Sequence, residues 1–372
     1  MAGQFQRRWR IAHSESSNGW GGQEHRIIAE LAGFQKRGCQ TWLMATPDSQ
    51  IVQRARQSGI AVINLNPAKL RFPLNVFQLA RRLKRERIEV LNTHSSRDGW
   101  LLGIAGRLAG VPLIIRTRHI DVEYPNRWLS RHAFTTLADH VLVTSGKIKA
   151  HFQEIFRLPD ARISTVPTGI DLNAFSPAGE KALLNAGGED KPLIGMVSVL
   201  RSWKGHATFL EAAAQLKSGG FDGRFVIVGE GPMRERIQKQ ISELNLGDVV
   251  TLTGHREDVP AVLRALAVLV IPSTKHEGVP QIGLQALACK TPVIGSDAGG
   301  IPEIIRDGET GRIFPARNAQ ALAAAIRETL SSPDKTRTRC ERGRTMVEAS
   351  HSLDAMLDKL DALYRRHIPP TG

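Results

Sequence analysis

Residues 273–306, STKHEGVPQIGLQALACKTPVIGSDAGGIPEIIR, read as a strand end, a polar loop, a short helix, a second strand and a glycine turn. The apolar run LAVLVIPS leads into them, and helical spacing then predicts Ile282, Ala286 and Ala288–Cys289 at buried positions. Strand, helix and strand in that rhythm make the repeating unit of a parallel α/β sheet. Glu277 and Gln285 remain as the polar functions near the helix start. A helix N-terminus offers backbone N–H groups and a positive dipole end to a phosphate, while a neighbouring carboxylate can hold sugar hydroxyls. Together they suit a nucleotide-sugar.

The same rhythm runs outward in both directions. From Trp9 to Ile170, RIAHSE, TWLMAT, AVINLN, VLNTHS, LIIRTRH, HVLVTS and ISTVPTG read as strands, with helices between them that include WGGQEHRIIAELAGFQKRG and NVFQLARRLKRERIE. A second series follows in LIGMVSVL, RFVIVGEGP, VVTLTGH, LAVLVIPS, PVIGSD and GRIFPA. Between the two lies a stretch with Pro177, Gly179 and Gly187–Gly188, the composition of a linker. The expected organisation is a first α/β domain over 1–175, a linker over 176–191, a second α/β domain over 192–349 and a terminal helical segment over 350–372. A chain of 372 residues is long enough for two cores.

Composition narrows the function classes. With 41% hydrophobic and 23% charged residues, and no apolar run near the ~20 residues of a membrane span, the chain reads as globular. The N-terminal residues lack the apolar core of a secretory signal, so a cytoplasmic location is expected. Cys39, Cys289 and Cys340 have no metal-ligand spacing and read as reduced, buried thiols. No D-x-D or clustered Cys/His occurs either, which disfavours a metal-dependent mechanism. The net charge of +14 raises nucleic acid or an anionic membrane as a partner. Arg81, Arg82, Lys84, Arg85 and Arg87 crowd one predicted helix, and Arg97, Arg107, Arg116, Arg118, Arg127 and Arg131 follow. Aromatics are scarce and no recognition-helix or stacking motif accompanies the run, so nucleic acid is not expected. Anionic headgroups, or a phosphorylated glycolipid, fit better, against the plain alternative of a solvated basic face.

Several strand-to-helix junctions carry residues suited to one chemistry. Ser17–Glu24, SNGWGGQE, follows the first strand, and Gly21 and Gly22 there let backbone approach a ligand or simply make a turn. Arg201 and Lys204, in RSWKG, follow the first strand of the second series, where two cations match a diphosphate. Gly229–Pro232 reads as a packing turn, and Thr253–His255 ends the next strand. His94 and Arg118–His119 end two first-half strands, while Trp100, Tyr124 and Trp128 read as core or rim aromatics.

The run RSWKG, the segment EGVPQ beginning at Glu277, the strand TPVIGSD and the turn GGIPE resemble the donor site of the retaining glycosyltransferases of family 4. The usual motif of that family has glutamates at the two positions filled here by Glu277 and Gln285, so the chain departs from it at the second. The resemblance implies two Rossmann-like parallel-sheet domains facing each other across a cleft, the GT-B architecture, with the last helix, here 350–366, crossing back onto the first domain. It implies that Glu277 and His119 act on the donor sugar, and that Arg201, Lys204 and the helix start at Gly278, Val279, Pro280 and Gln281 stabilise the diphosphate. Gly21 and Gly22 would lie beside the donor phosphates, and Gln285 would bind ribose hydroxyls through an amide that still donates and accepts. His94 and Arg118 are acceptor-side candidates. The co-substrate is a nucleotide-sugar of unread base, no further cofactor is expected, and the acceptor is a glycolipid of the lipopolysaccharide type or an oligosaccharide, met at the inner face of the cytoplasmic membrane. The alternatives are a soluble-acceptor transferase, a nucleotide-sugar epimerase of the same fold, or a non-catalytic or nucleic-acid-binding scaffold.

Overall fold

Consecutive residues of the central strands are buried on both sides, which a parallel sheet with helices on each face requires and which the near-continuous apolar runs encode. The computed structural model describes residues 7–65, 72–120, 128–184, 191–275 and 277–369, and it divides into two units. Met1–Gly169 with Leu353–Gly372 make the first, and Ile170–Ser352 the second.

The first unit runs β1 (Arg10–Glu15), α1 (Gly22–Lys36), β2 (Gln40–Ala45), α2 (Gln50–Gln57), β3 (Ala61–Asn64), α3 (Phe72–Arg85), β4 (Val90–Thr93), α4 (Ser96–Ala109), β5 (Leu113–Arg118), α5 (Trp128–Thr135), β6 (His140–Val143), α6 (Gly146–Phe156) and β7 (Ile163–Thr165). Its seven strands pair in the order β3-β2-β1-β4-β5-β6-β7, all parallel. Ile11, Leu43, Val90 and Ile115 face α1 and α2, while Ala12, Met44, Leu91 and Ile114 face α3 and α4.

The second unit runs β8 (Leu193–Val197), α7 (His206–Ser218), β9 (Arg224–Val228), α8 (Arg234–Glu243), β10 (Val250–Gly254), α9 (Val259–Ala265), β11 (Val268–Ile271), α10 (Gln281–Ala288), β12 (Val293–Ser296), β13 (Arg312–Phe314), α11 (Ala319–Ser331) and α12 (Pro333–Ser350). The order is β10-β9-β8-β11-β12-β13, again parallel. Here Ile194, Phe225, Val268 and Ile294 pack on α7, α8 and α11, and Val226, Leu269 and Val293 on α9, α10 and α12. Both units are therefore Rossmann-like, as the sequence implies.

The last helix, α13 (Leu353–His367), belongs to the first unit. Trp9, fully buried at the mouth of β1, donates from Nε1 to Asp361 Oδ1 at 2.6 Å, and Tyr364 packs against Trp9 and Phe34. Gly33 lets α1 approach it: a Cβ there would stand 2.6 Å from Leu357.

The sequence reading needs four local corrections. The helix expected to reach Glu89 ends at Arg85, because Arg87 takes a left-handed φ of 47° and Ile88 N turns back to the Leu83 carbonyl. The terminal helix begins at Leu353 rather than Ser350, because Ile170 N donates to the His351 carbonyl and Ser352 bridges to Ile170. Ile282 is only half-buried, and the interior of α10 is filled by Gly283, Leu284, Ala286 and Leu287. Of the expected linker, Gly187–Gly188 lie outside the described residues, and the preceding part packs on the second unit: Leu184 is buried and Arg264 donates to the carbonyls of Ser176 and Glu180.

Removing the indole N–H in Trp9→Phe leaves a buried carboxylate short of one donor, so urea unfolding should show a loss of about 1–3 kcal/mol.

Candidate functional site

Ligands in open parallel sheets bind beyond the carboxyl ends of the strands where the strand order reverses. That point lies between β1 and β4 in the first unit and between β8 and β11 in the second. Both ends carry buried polar side chains.

In the first unit, His13, Ser14 and Glu15 close β1, each with no exposed surface. His94 follows β4 and His119 follows β5. His94 Nδ1 lies 2.8 Å from His119 Nε2, and His94 Nε2 lies 3.1 Å from His13 Nδ1. Glu15 is held from every side, by Ser17 N at 2.6 Å, Ser95 Oγ at 2.8 Å and Gln23 Nε2. Ser95 and Asp98 form a capping box at the start of α4, and Ser14 donates to Asp98. Gly21 caps α1 in an extended conformation with φ −164°, and Gly22 opens the helix. Arg116 is buried over the Phe134 ring at 4.5 Å, so it adds no surface charge.

Burial dominates the electrostatics of this cluster. It holds His13 down to about 4 against the pull of Glu30, and keeps His94 and His119 well below the usual histidine range. Asp98 is pushed up to about 6 by burial, and Arg116 and Arg118 are lowered to about 10 for the same reason.

In the second unit, the chain leaves β8 through a short 3-10 turn, Ser202–Lys204, and Gly205 then opens α7. Gly205 has φ 78°, and a Cβ there would stand 1.8 Å from the Pro272 carbonyl, so no other residue fits. Thr274 N donates to the Trp203 carbonyl at 2.7 Å, which ties the loop after β11 to this turn. Lys204 Nζ meets Glu277 Oε1 at 2.5 Å, and Ser273 Oγ donates to the same oxygen at 2.6 Å. Glu277 is buried, and Gly300 N donates to its carbonyl while Gly299, with φ 57°, lies flat against it. Gly278, Val279 and Pro280 are buried at the start of α10, Gln281 and Gln285 are half-buried one turn apart on it, and Arg201 is exposed beside Trp203. Gly229 and Gly231 pack on the carbonyls of Ser198 and Leu200, where a side chain would collide.

The sequence-predicted residues thus fall in two groups, each within one unit. Lys204 and Glu277 stand in direct contact, and so do His94 and His119. His94, an acceptor-side candidate on sequence, is buried and spends both ring nitrogens inside the unit. Asp121, Tyr124, Arg127 and His276 lie outside the described residues. Sequence reasoning missed His13, Glu15, Glu30 and Asp98. The available signal was the polar pair His13 and Glu15 in a strand that the fold class makes central.

The comparisons agree with this geometry. The model for Glycosyltransferase Family 4 matches residues 20–174, and the model for Glycosyl transferases group 1 matches residues 185–346. The chain is 27% identical over 314 residues to the alpha-D-kanosaminyltransferase of Streptomyces kanamyceticus, covering 78% of this chain and 80% of that one. It is 28% identical over 273 residues to the UDP-Gal:alpha-D-GlcNAc-diphosphoundecaprenol alpha-1,3-galactosyltransferase of Escherichia coli, covering 68% and 69%. The solved glycosyltransferase of Rickettsia africae superposes with a TM-score of 0.89 at 21% identity, over 98% of this chain and 100% of that one.

A histidine held below its unfolded value takes its proton first in the unfolded chain, so His13 makes stability rise with pH between about 4 and 6.5. Asp98, held above its unfolded value, acts in the opposite sense between 3.8 and about 6. With His94 and His119 adding to His13, the urea midpoint should fall between about pH 7 and pH 5, and His13→Gln should flatten that fall.

Proposed function

Since the chain belongs to the family 4-type glycosyltransferases, we propose that it moves a sugar from a nucleotide-sugar to a hydroxyl of an envelope glycolipid, with retention of anomeric configuration and without a metal. The observation that carries this reading is the Lys204–Glu277–Ser273 contact at the strand-order reversal of the second unit, beside the start of α10. Arg201 and Lys204 neutralise the charge that develops on the departing nucleoside diphosphate, with Gly278, Val279, Pro280 and Gln281 at the helix start. Gln285 takes the ribose hydroxyls. Glu277 holds the sugar hydroxyls, and His119 of the first unit supports the sugar near its reacting carbon, with Gly21 and Gly22 beside the donor phosphates. Arg118 serves the acceptor side.

In the reaction the acceptor oxygen bonds to the anomeric carbon on the face from which the diphosphate oxygen leaves. The acceptor's proton passes to that leaving oxygen, so no protein nucleophile is needed. The UDP-galactose and diphosphoundecaprenol in the name of the Escherichia coli relative support a nucleotide-sugar donor and a lipid-linked acceptor.

The acceptor reading places the protein at the inner face of the cytoplasmic membrane. No described helix is long and apolar enough to cross a membrane. Contact falls instead to α3, which buries Val76, Leu79 and Leu83 and exposes Leu74 and Phe77 next to Arg81, Lys84 and Arg85. Exposed apolar side chains beside cations suit an anionic lipid interface.

Thermal-shift measurements with UDP, GDP, ADP and CMP sugars should show one base raising the midpoint, reporting a gain in stability of about 2.7 kcal/mol at a hundredfold excess over Kd. With that donor, Glu277→Gln and Lys204→Ala should each lower transfer by about a hundredfold or more. Full activity in either variant rules out the assigned roles. In co-sedimentation with phosphatidylglycerol vesicles, Arg81→Glu with Arg85→Glu should weaken binding by about 1 kcal/mol for each cation removed, and unchanged binding excludes α3 as the contact.

A further inference from the structure

Behind His119 stands a line of buried groups to which the reaction gives no task. Arg26 Nε lies 2.5 Å from Glu30 Oε1, and Arg26 Nη1 donates to the Val166 carbonyl at 2.7 Å. The second oxygen of Glu30, Oε2, faces His13 Nε2 at 3.7 Å, and neither atom has a hydrogen-bond partner among the described residues. His13 then meets His94, and His94 meets His119. The side chains of Arg26, Glu30 and His13 are at most 1% exposed. Water therefore does not compete for these contacts.

Each ring-to-ring contact needs one N–H and one lone pair, and a neutral imidazole has one of each. The three rings must therefore all point the same way along the line, and the group at its buried end chooses which way. A carboxylate paired with a guanidinium offers only lone pairs, so the atom of His13 that faces it is Nε2–H. His13 Nδ1 then accepts from His94 Nε2–H, and His94 Nδ1 accepts from His119 Nε2–H. We infer that the Arg26–Glu30 pair, acting through His13 and His94, fixes His119 as its Nε2–H tautomer and leaves Nδ1 bare to accept a hydroxyl of the transferred sugar. The last clause rests on the donor-site reading above. Glu30, His13 and His94 are positioning residues. Burial favours the neutral rings that the relay requires.

The test is the imidazole nitrogen spectrum of the full-length, nitrogen-15-labelled protein, with the His119 signals assigned by their loss in His119→Gln. The expected pattern for the unsubstituted protein is an unprotonated Nδ1 and a protonated Nε2 on His119. In Glu30→Gln the amide oxygen stays on Arg26 and the amide N–H turns to His13, so the whole line should reverse and His119 Nδ1 should become the protonated atom. Donor KM should then rise about tenfold, the worth of one hydrogen bond. In His13→Gln, the amide oxygen accepts from His94 and the amide N–H faces Glu30, so His119 should keep its tautomer. A packing role alone would disturb His119 alike in both variants and exchange its nitrogens in neither.

A protonated Nδ1 in the unsubstituted protein overturns the inference, and so does a Glu30→Gln spectrum with the tautomer unchanged. If Glu30→Gln does not fold, the unsubstituted spectrum and His13→Gln still decide. Exchange of the nitrogens with an unchanged donor KM overturns the assignment of Nδ1 to the sugar and leaves the relay in place. The expected tautomers in a protein that transfers no sugar would instead count against the transferase reading.

Discussion

Each sheet reverses its strand order beside its first strand, and the polar chemistry of both units follows from that constraint. The loops after β1 and β4 leave in opposite directions, as do those after β8 and β11, so the strand ends between them are not roofed by a crossover helix. Polar side chains can end the strands there. They are nevertheless buried, and a buried polar atom without a partner costs about 1–3 kcal/mol. The two units meet that cost differently. The first links neutral rings and capped carboxylates, whereas the second joins an ammonium, a carboxylate and a hydroxyl. Glycines make the second arrangement possible: Gly205 brings the turn after β8 against Pro272, and Gly299 brings the turn after β12 against Glu277.

The formal charge of +14 gives a poor picture of the surface. Arg26 and Arg116 are interior, Arg37 is tied to Asp354 and Asp358, and Arg107 to Asp139. Arg82 and Arg85 share Glu86. On α3, exposed Arg81, Lys84 and Arg85 stand beside exposed Leu74 and Phe77, with Arg81 over the Phe77 ring. Exposed pairs such as Lys239–Glu243 contribute at most a few tenths of a kcal/mol and decide nothing about the fold.

The architecture was legible because burial on both faces writes continuous apolar runs, and the runs LAVLVIPS and RFVIVGEGP contain the strands β11 and β9 where they were read. The errors sit at element ends, where the deciding events are non-local or conformational: the left-handed Arg87, and the bridge that pairs Ser352 with Ile170. Among the site residues, those in short local motifs such as RSWKG and EGVPQ were legible as motifs. The histidine line was not, because its members come from β1, α1 and the loops after β4 and β5, and nothing local marks them as partners. Glu30 illustrates this best. On sequence it is a polar residue in the first helix, and only the packing of that helix on the sheet sets it against His13.

The contact between Lys204 and Glu277 divides the work of both side chains. Among the described residues, both hydrogen bonds to the Glu277 carboxylate fall on Oε1, from Lys204 and Ser273. That leaves Oε2 as the acceptor for a sugar hydroxyl in the proposed role. Lys204 spends one of its three N–H donors on the carboxylate and keeps two for phosphate oxygens. In the proposed reading the same cation orients the sugar-binding carboxylate and attracts the leaving group. Gln285, half-buried one turn into α10, presents a neutral amide that in the proposed role both donates to and accepts from the ribose hydroxyls.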